Sequence, residues 1–263
     1  ICLENDPSVV ENYKRETEKK NMFFGIPDVI TSNTAPTKIK NRNKLNLITE
    51  KGTCYLDKKL KIKNTNAIFL DPKNLKIQWL AKLYIHNSSH CICAYLGNLI
   101  KKKYLHEALE SNNIKKIVKE CIAELSKMLV KKYDMNKKFV TSYGSKEFRR
   151  FSNKLLFDPI SRVAREPFRK LQPKERLIGA ANECLAIGIE PKALSIGIIS
   201  AINYSNTKDE DINLRILRKA LDHKDMLKII LNLRDDEPLY QLLIKNWKII
   251  NTKLKIIKNE HRR

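Results

Sequence analysis

The fold of this chain is decided by residues 113–134, which read NIKKIVKECIAELSKMLVKKYD. Asn113 is a residue type that often caps a helix, and the apolar residues after it recur in steps of three and four. These apolar residues are Ile114, Ile117, Val118, Cys121, Ile122, Leu125, Met128 and Leu129. The spacing places them on one face of a helix that ends near Tyr133, and we predict that this face is buried in a helical core.

Helical patterns continue through the rest of the second part of the chain. Further helices are predicted over 136–152, 175–185, 209–221 and 237–256. Pro173 suits an early position of the 175–185 helix, and Gly188 suits its C-terminal end. Pro191 opens another helix that runs through Ile202. We therefore predict a mainly α, multi-helical domain over residues 73–263.

Residues 1–72 have a different pattern. Residues 45–49 alternate between apolar and polar, as a half-buried strand does, and Lys51-Gly52 then predicts a turn. Other short strands are predicted at 23–26, 28–31, 54–56 and 60–62. We predict a small antiparallel β-containing segment before the helical domain. No two of the seven glycines form a G-x-G pair, so these residues do not encode the usual Rossmann dinucleotide-binding domain.

The composition favours a folded globular protein. The 263 residues include 52 basic and 29 acidic side chains, which give a net charge of +23. The lysines are spread along the whole chain, and the run Lys101–Lys103 has only Tyr104 as an aromatic neighbour. Nucleic-acid binding needs clustered basic residues with aromatic stacking partners, so we attribute the charge to a solvated surface. No run of about 18 apolar residues exists, which excludes a membrane-spanning helix.

The six cysteines predict neither a metal site nor disulfides. No C-x-x-C pair is present, and Cys91-x-Cys93 is too closely spaced for the usual zinc site. Cys121 and Cys184 lie on apolar helical faces, where buried thiols are common. The N-terminus lacks a basic region followed by a long apolar run. We therefore expect reduced thiols in a cytoplasmic protein.

Candidate catalytic residues lie in residues 82–97, which read KLYIHNSSHCICAYLG. On an α-helix with Lys82 at 0°, Asn87 falls at about 140° and His90 at about 80°, so the three polar groups share one arc. They supply a base, an oxyanion donor and a hydrogen-bonding partner. By spacing alone, the polar face of an ordinary amphipathic helix is the favoured explanation of these three residues. His86 falls at about 40° on the same scale, and we expect it to be a surface or packing residue.

A second block covers residues 162–171 and reads RVAREPFRKL. A forked guanidinium binds phosphate oxygens well, so the block is a candidate anion site. The alternative is a helix end whose carbonyl groups are bound by arginine side chains.

Both blocks resemble the polyol-specific long-chain dehydrogenases, the mannitol dehydrogenase family. The first block matches as Lys82-x4-Asn87-x2-His90 running on to Ala94-Tyr95-Leu96-Gly97. The second is similar in particular to the mannitol-1-phosphate 5-dehydrogenases of that family. Glu4-Asn5 resembles the acidic-Asn pair that closes the family's nucleotide domain. The resemblance implies the family's helical C-terminal substrate domain, without its N-terminal Rossmann domain.

The resemblance also implies roles for the residues of the first block. Lys82 would be the general base that takes the hydroxyl proton while hydride leaves for the nicotinamide of NAD. Asn87 and Asn5 would stabilise the developing alkoxide. His90 would bind the substrate and orient the lysine.

For the second block the resemblance implies substrate binding. Arg162 and Lys170 match basic positions that contact the substrate, while Arg165 and Arg169 match positions shared by the phosphate-using members. The resemblance assigns no cofactor-binding residue to this chain, and NAD would need a separate nucleotide-binding domain as a partner.

These implications favour interconversion of mannitol 1-phosphate and fructose 6-phosphate with NAD. Two alternatives stay open: a dehydrogenase of another polyol or a hexonate, and a non-catalytic degenerate binding module. Residues 30–36 read ITSNTAP where the family carries an Asp-Arg pair, which supports the second alternative. The small-molecule partner would be a sugar phosphate or a polyol.

Overall fold

The computed structural model describes residues 1–3, 7–18, 21–40, 43, 45–60, 62–63, 65–205 and 212–260. The chain forms two compact units, Ile1–Leu83 and Tyr84–Arg263. The sequence pattern places the division at residue 72, where the helical period begins. The division lies later in the structure because the first helix after residue 72 packs on strands of the first unit.

The first unit contains a four-stranded sheet with the strand order β1-β2-β5-β6, a separate β3-β4 pair and two helices. Its elements are β1 Cys2–Leu3, α1 Ser8–Thr17, β2 Phe24–Asp28, β3 Thr31–Ser32, β4 Ile48–Thr49, β5 Thr53–Asp57, β6 Ile68–Leu70 and α2 Pro72–Ala81. Asp71 caps α2 by accepting a hydrogen bond from the backbone N–H of Asn74, and Pro72 occupies the first helical position.

The prediction of an antiparallel unit is correct for the centre of the sheet and wrong for its edges. β2 and β5 pair antiparallel with Ile26 opposite Tyr55, whereas β1–β2 and β5–β6 are parallel pairs. The strand predicted at residues 60–62 is absent among its described residues, Leu60 and Ile62. The Asp57 carboxylate accepts a hydrogen bond from the backbone N–H of Lys59, which turns the chain before that segment. The edge position is taken by β6, which the sequence pattern does not predict.

The second unit is helical, which confirms the predicted mainly α class. A π-helix, Lys82–Ser88, begins with the last two residues of the first unit and runs directly into α3, Ser89–Leu99. The α-helices that follow are α4 Leu105–Ala108, α5 Asn112–Tyr133, α6 Lys137–Phe151, α7 Ile160–Ala164, α8 Pro167–Lys170, α9 Ile178–Leu185, α10 Lys192–Ile202, α11 Ile212–Ala220, α12 His223–Leu231 and α13 Pro238–Glu260. A short 3-10 turn covers Lys154–Leu156. No helix in these described ranges is both long enough and apolar enough to cross a membrane.

The long helices follow the apolar period, while their ends differ from the prediction. The face predicted for α5 is buried except for Ile122, which is half-buried. Ser111, not Asn113, caps α5 by accepting from the backbone N–H of Ile114. The helix predicted over 175–185 begins only at Ile178, because residues 173–177 form consecutive tight turns.

Helix α3 is the centre of the second unit. It is buried from Ser89 to Gly97 and packs against α4, α5, α7, α10 and α13. Two glycines allow neighbouring helices to approach α3 closely. A Cβ on Gly97 would lie 2.6 Å from Ile160 Cδ1 of α7, and a Cβ on Gly197 of α10 would lie 2.5 Å from Ile92 Cδ1 of α3. Close helix packing therefore fixes the position of α3 and of the side chains that it carries.

Candidate active site

The first candidate residue, Lys82, is half-buried and belongs to the first unit. Its Nζ donates a hydrogen bond to the carbonyl oxygen of Pro27 in β2. Lys82 begins the π-helix, so the α-helical angles used to predict a shared arc do not apply to residues 82–88. A π-helix bonds each N–H to the carbonyl five residues earlier; it is rare, and it frequently occurs at functional sites. This local distortion is not predicted by the sequence pattern.

Asn87 and Ser88 end the π-helix, and both are buried. The Ser88 hydroxyl donates to the carbonyl oxygen of Arg176 at 2.6 Å, which ties the π-helix to the turns before α9. Asn87 is only 8% exposed, and its side chain makes no hydrogen bond to the described part of the chain. Its amide is therefore available as a donor to a ligand.

His90 is held by a carboxylate in the first turn of α3. Its Nε2 donates to Asp158 Oδ2 at 2.8 Å, and Asp158 Oδ1 accepts from Arg162 Nη2 at 2.5 Å and Nε at 3.1 Å. His90 and Asp158 are buried, whereas the Arg162 side chain is 43% exposed. The result is a His–carboxylate–Arg series that runs from the core to the surface.

The charges in this series follow from burial and hydrogen bonding. Burial lowers the pKa of His90 to about 4, although the hydrogen bond and charge of Asp158 oppose the change. Burial also acts on Asp158, but the hydrogen bond from His90 and the charge of Arg162 outweigh it and lower the pKa of Asp158 to about 2. At neutral pH, Asp158 is therefore ionised and His90 is neutral. A neutral imidazole that donates through Nε2 has an acceptor at Nδ1.

A second buried series lies beside the first. His86 Nδ1 donates to Glu147 Oε2 at 2.5 Å, and Arg150 Nη1 donates to both carboxylate oxygens of Glu147 at 2.8 Å. The His86 and His90 rings lie 4.7 Å apart between centroids, and both contact the ring of Phe151. Of the two expectations for His86, a surface or a packing residue, the structure supports packing, because its ring is buried within this cluster.

Glu147 and Asp158 were not predicted as site residues. A signal for Glu147 exists in the sequence, because it stands on the buried face of α6 with Val140, Tyr143, Gly144 and Phe151. A carboxylate at a core-facing helical position indicates a buried partner of opposite charge. Asp158 precedes α7 in an irregular segment, where helical periodicity gives no signal.

The second predicted block divides into buried and exposed side chains. Lys170 is buried, and its Nζ donates to the carbonyl oxygens of Val163, at 2.7 Å, and Arg165. Burial lowers the pKa of Lys170 to about 8. The carbonyls at the end of α7 are therefore bound by a lysine, where the alternative interpretation of the sequence expected an arginine.

The exposed arginines of this block differ in their partners. Arg169 donates to Glu166 Oε2 and to Glu175 Oε1, at 2.8 Å each. Arg165 is exposed, and no described side chain forms an ion pair with it. Its guanidinium can therefore meet an anion without breaking an internal ion pair.

Asn5, the other predicted oxyanion donor, lies outside the described residues, as does Glu4. Within the described ranges, no three His, Cys, Asp or Glu side chains lie close enough together to hold a metal ion.

Comparison with known proteins identifies relatives of the helical part. Residues 75–243 match the sequence profile of the family described as "Mannitol dehydrogenase C-terminal domain". This range contains both predicted blocks, from Lys82 to Lys170. The chain is also 34% identical, over 172 residues, to the mannitol-1-phosphate 5-dehydrogenase of Exiguobacterium sp. strain AT1b. That alignment covers 64% of this chain and 44% of the relative, so the match spans less than half of the relative's length.

Solved structures share the fold. The crystal structure of a D-sorbitol dehydrogenase in substrate-free form superimposes with a TM-score of 0.68 at 18% identity, over 96% of this chain and 56% of that one. The Pseudomonas fluorescens mannitol 2-dehydrogenase, in a ternary complex with NAD and D-mannitol, gives a TM-score of 0.63 at 12% identity. This second match covers 97% of this chain and 56% of that one. At these identities the likeness concerns the fold alone.

Proposed function

This chain belongs to the family of the mannitol dehydrogenase C-terminal domain, and from that premise we propose that it is the substrate-binding and catalytic part of an NAD-dependent oxidoreductase. The reaction we propose is the interconversion of mannitol 1-phosphate and fructose 6-phosphate. The observation that carries this proposal is the 34% identity to an enzyme named mannitol-1-phosphate 5-dehydrogenase. Within the structure, the proposal is supported by a buried, neutral His90 held by Asp158.

The proposed chemistry assigns a proton acceptor and hydrogen-bonding partners. The Lys82 amine, in its neutral form, accepts the proton of the substrate hydroxyl that is oxidised. The Asn87 amide donates a hydrogen bond to the same oxygen as negative charge develops on it. Asn5 would be the second donor of this pair. His90 accepts a hydrogen bond from another substrate hydroxyl at Nδ1, because its Nε2–H is committed to Asp158.

NAD would accept the hydride when bound, but the residues of this chain do not form its usual site. The chain has no G-x-G pair, so it lacks the tight turn that brings a helix N-terminus to the pyrophosphate. We therefore propose a separate nucleotide-binding domain as the partner and assign no residue of this chain to NAD. All six cysteines are unpaired thiols, which supports the further proposal of a cytoplasmic location.

The phosphate of the proposed substrate would be bound by the arginines of residues 162–169. Arg165 is exposed and has no ion-pair partner among the described side chains, and Arg162 keeps 43% of its side chain exposed. A guanidinium can bind two phosphate oxygens in parallel. Lys170 contributes indirectly, because it holds the carbonyl groups of Val163 and Arg165 and so fixes the segment between α7 and α8.

An unphosphorylated polyol or a hexonate is the second candidate substrate. It is favoured by one observation: Arg169 already binds the carboxylates of Glu166 and Glu175. A phosphate would have to compete with these two carboxylates for Arg169. Arg165, which has no such partner among the described side chains, is therefore the residue whose substitution should affect a phosphorylated substrate more than an unphosphorylated one.

The test combines this chain with a nucleotide-binding domain and measures oxidation of mannitol 1-phosphate and of mannitol. Arg165→Ala should raise KM for mannitol 1-phosphate by about 10-fold or more, because a charge-assisted hydrogen bond of about 1.5–3 kcal/mol is lost. KM for mannitol should change much less. Arg149→Ala removes an exposed arginine at the end of α6 and serves as the control. An equal rise of KM for both substrates would contradict phosphate binding by Arg165.

A further inference from the structure

The two buried His–carboxylate–Arg series have a similar composition but different exposure. His90, Asp158 and Arg162 lead from the core to a half-exposed guanidinium. In the other series, Glu147 is fully buried and Arg150 is only 8% exposed. This second series therefore has little access to solvent, and the proposed chemistry does not use it.

Keeping this second series buried is costly. Removing a carboxylate and a guanidinium from water costs several kcal/mol per ion, and well-packed apolar residues are often as stable as a buried ion pair. Arg150 already satisfies both oxygens of Glu147. The additional hydrogen bond from His86 is therefore not needed to satisfy the carboxylate, and it suggests a role for the His86 ring.

The His86 ring contacts the His90 ring. The two centroids are 4.7 Å apart, and Phe151 stacks on His90 at 4.9 Å with an interplanar angle of 16°. His90 is thus enclosed by two rings, and its Nε2 is bound to Asp158. His86 cannot turn away from His90 without breaking its 2.5 Å hydrogen bond to Glu147.

We propose that His86 is a positioning residue, held by Glu147 and Arg150, which keeps the His90 ring oriented with Nε2 on Asp158 and Nδ1 available to the substrate. The substrate part of this inference rests on the proposed function, whereas the orientation of His90 does not. The charged and titratable groups around the two rings are Asp158 and Arg162 on the side of His90, and Glu147, Arg150 and Lys146 on the side of His86. Ring orientation matters because the bond at one imidazole nitrogen decides the role of the other.

The test follows the His90 Nε2–H proton by nuclear magnetic resonance in the chain by itself. In a ring held against Asp158, this proton exchanges slowly with water. His86→Leu removes the ring and its anchor, and it should accelerate the exchange by about 10-fold or more beyond what the loss of global stability explains. NOE contacts between the His90 and Phe151 rings should weaken at the same time. Glu147→Gln keeps an acceptor for His86 and should behave more like the wild type.

The control is Glu124→Gln, which alters a half-buried carboxylate that caps α10 and leaves the two histidine series intact. It should change global stability without changing the excess exchange rate of His90. If His86→Leu does not fold, His86→Phe keeps a ring but removes the donor to Glu147, and the same acceleration is expected. An unchanged excess rate in the folded variant would show that the second series has only a structural role.

A second readout separates this inference from the proposed function. With a nucleotide-binding domain supplied, His86→Leu should lower kcat by about 10-fold. If no variant or wild type turns over any polyol, the proposed function fails, and the exchange rates still decide the orientation of His90. If kcat is unchanged while the exchange accelerates, the proposed link between His90 orientation and the reaction is wrong.

Discussion

The pKa values of buried His90 and half-buried Glu124 are displaced in directions that give opposite effects on the pH dependence of stability. Burial lowers the pKa of His90 to about 4, so the unfolded chain binds more protons than the folded one between about pH 4 and 6.5. Burial raises the pKa of Glu124 to about 7, so the folded chain binds more protons between about pH 4.5 and 7. The Glu124 carboxylate is held in place because the backbone N–H groups of Ala193 and Leu194 donate hydrogen bonds to its oxygens.

The pH dependence of stability should therefore change in opposite directions in two variants. The contribution of His90 to the free energy of unfolding is present above about pH 6.5 and is lost as the pH falls through about 4. The loss is on the order of 3 kcal/mol. The Glu124 contribution is present below about pH 4.5 and lost as the pH rises through about 7. Urea unfolding of His90→Gln and Glu124→Gln from pH 4.5 to 7 should give stability differences from wild type that change with opposite slopes. Parallel curves for all three proteins would contradict both assignments.

Lys82 is the residue whose chemistry is most directly testable. With a nucleotide-binding domain supplied, Lys82→Met keeps most of the aliphatic side chain but removes the proton acceptor. We expect kcat for mannitol 1-phosphate to fall by about 10²–10⁴-fold, because general-base catalysis contributes that much. KM should change less, since Arg165 would still bind the phosphate. Lys76→Met, at an exposed position of α2, is the control, and a Lys82→Met enzyme with normal kcat would exclude Lys82 as the base.

Among the helices, the packing of α10 on α3 gives a prediction about stability. A Cβ on Gly197 would lie 2.5 Å from Ile92 Cδ1, in a fully buried contact. Gly197→Ala should therefore lower the free energy of unfolding by about 1–3 kcal/mol, as overpacking of a core does. Gly179→Ala in α9 controls for the helix preference of alanine, because its Cβ would have its nearest atom at 3.2 Å. Urea unfolding measures both, and equal stability of the two variants would contradict the close approach.

The helices also show which parts of the fold are predictable from sequence. α5 and α6 are predicted nearly to their ends, because long apolar periods average out local preferences. The π-helix at residues 82–88 is not predicted, since a change from four-residue to five-residue hydrogen bonding leaves no clear pattern in seven residues. β6 is missed because Ile68, Phe69 and Leu70 are all apolar and therefore show no alternation.

The candidate site is predictable to a similar extent. The motif residues Asn87, His90 and Arg162 can be named from their pattern and their resemblance to a family. Their partners cannot, because Glu147 and Asp158 come from distant segments that only tertiary packing brings to the histidines. A helical wheel describes one helix at a time, whereas the charge states of His90 and Lys170 depend on burial by several helices.

Across the whole molecule, the division into a small β-containing unit and a helical unit limits which ligands the chain can bind by itself. The chain contains no glycine-rich turn leading into a helix, which is the usual support for a pyrophosphate. It does contain exposed arginines between α7 and α9 that suit a phosphate monoester. Cofactor binding and substrate binding should therefore be separable in this chain.

Titration calorimetry on the chain alone tests this separation. NAD should show no micromolar binding, because its phosphates find no backbone N–H cradle here. Mannitol 1-phosphate should bind weakly, with a Kd on the order of millimolar, since a few charge-assisted hydrogen bonds supply most of the affinity. Arg165→Ala should weaken this binding, and Arg149→Ala should not. Micromolar NAD binding to the isolated chain would mean that its residues form a nucleotide site without a G-x-G turn. The proposed need for a separate nucleotide-binding domain would then be wrong.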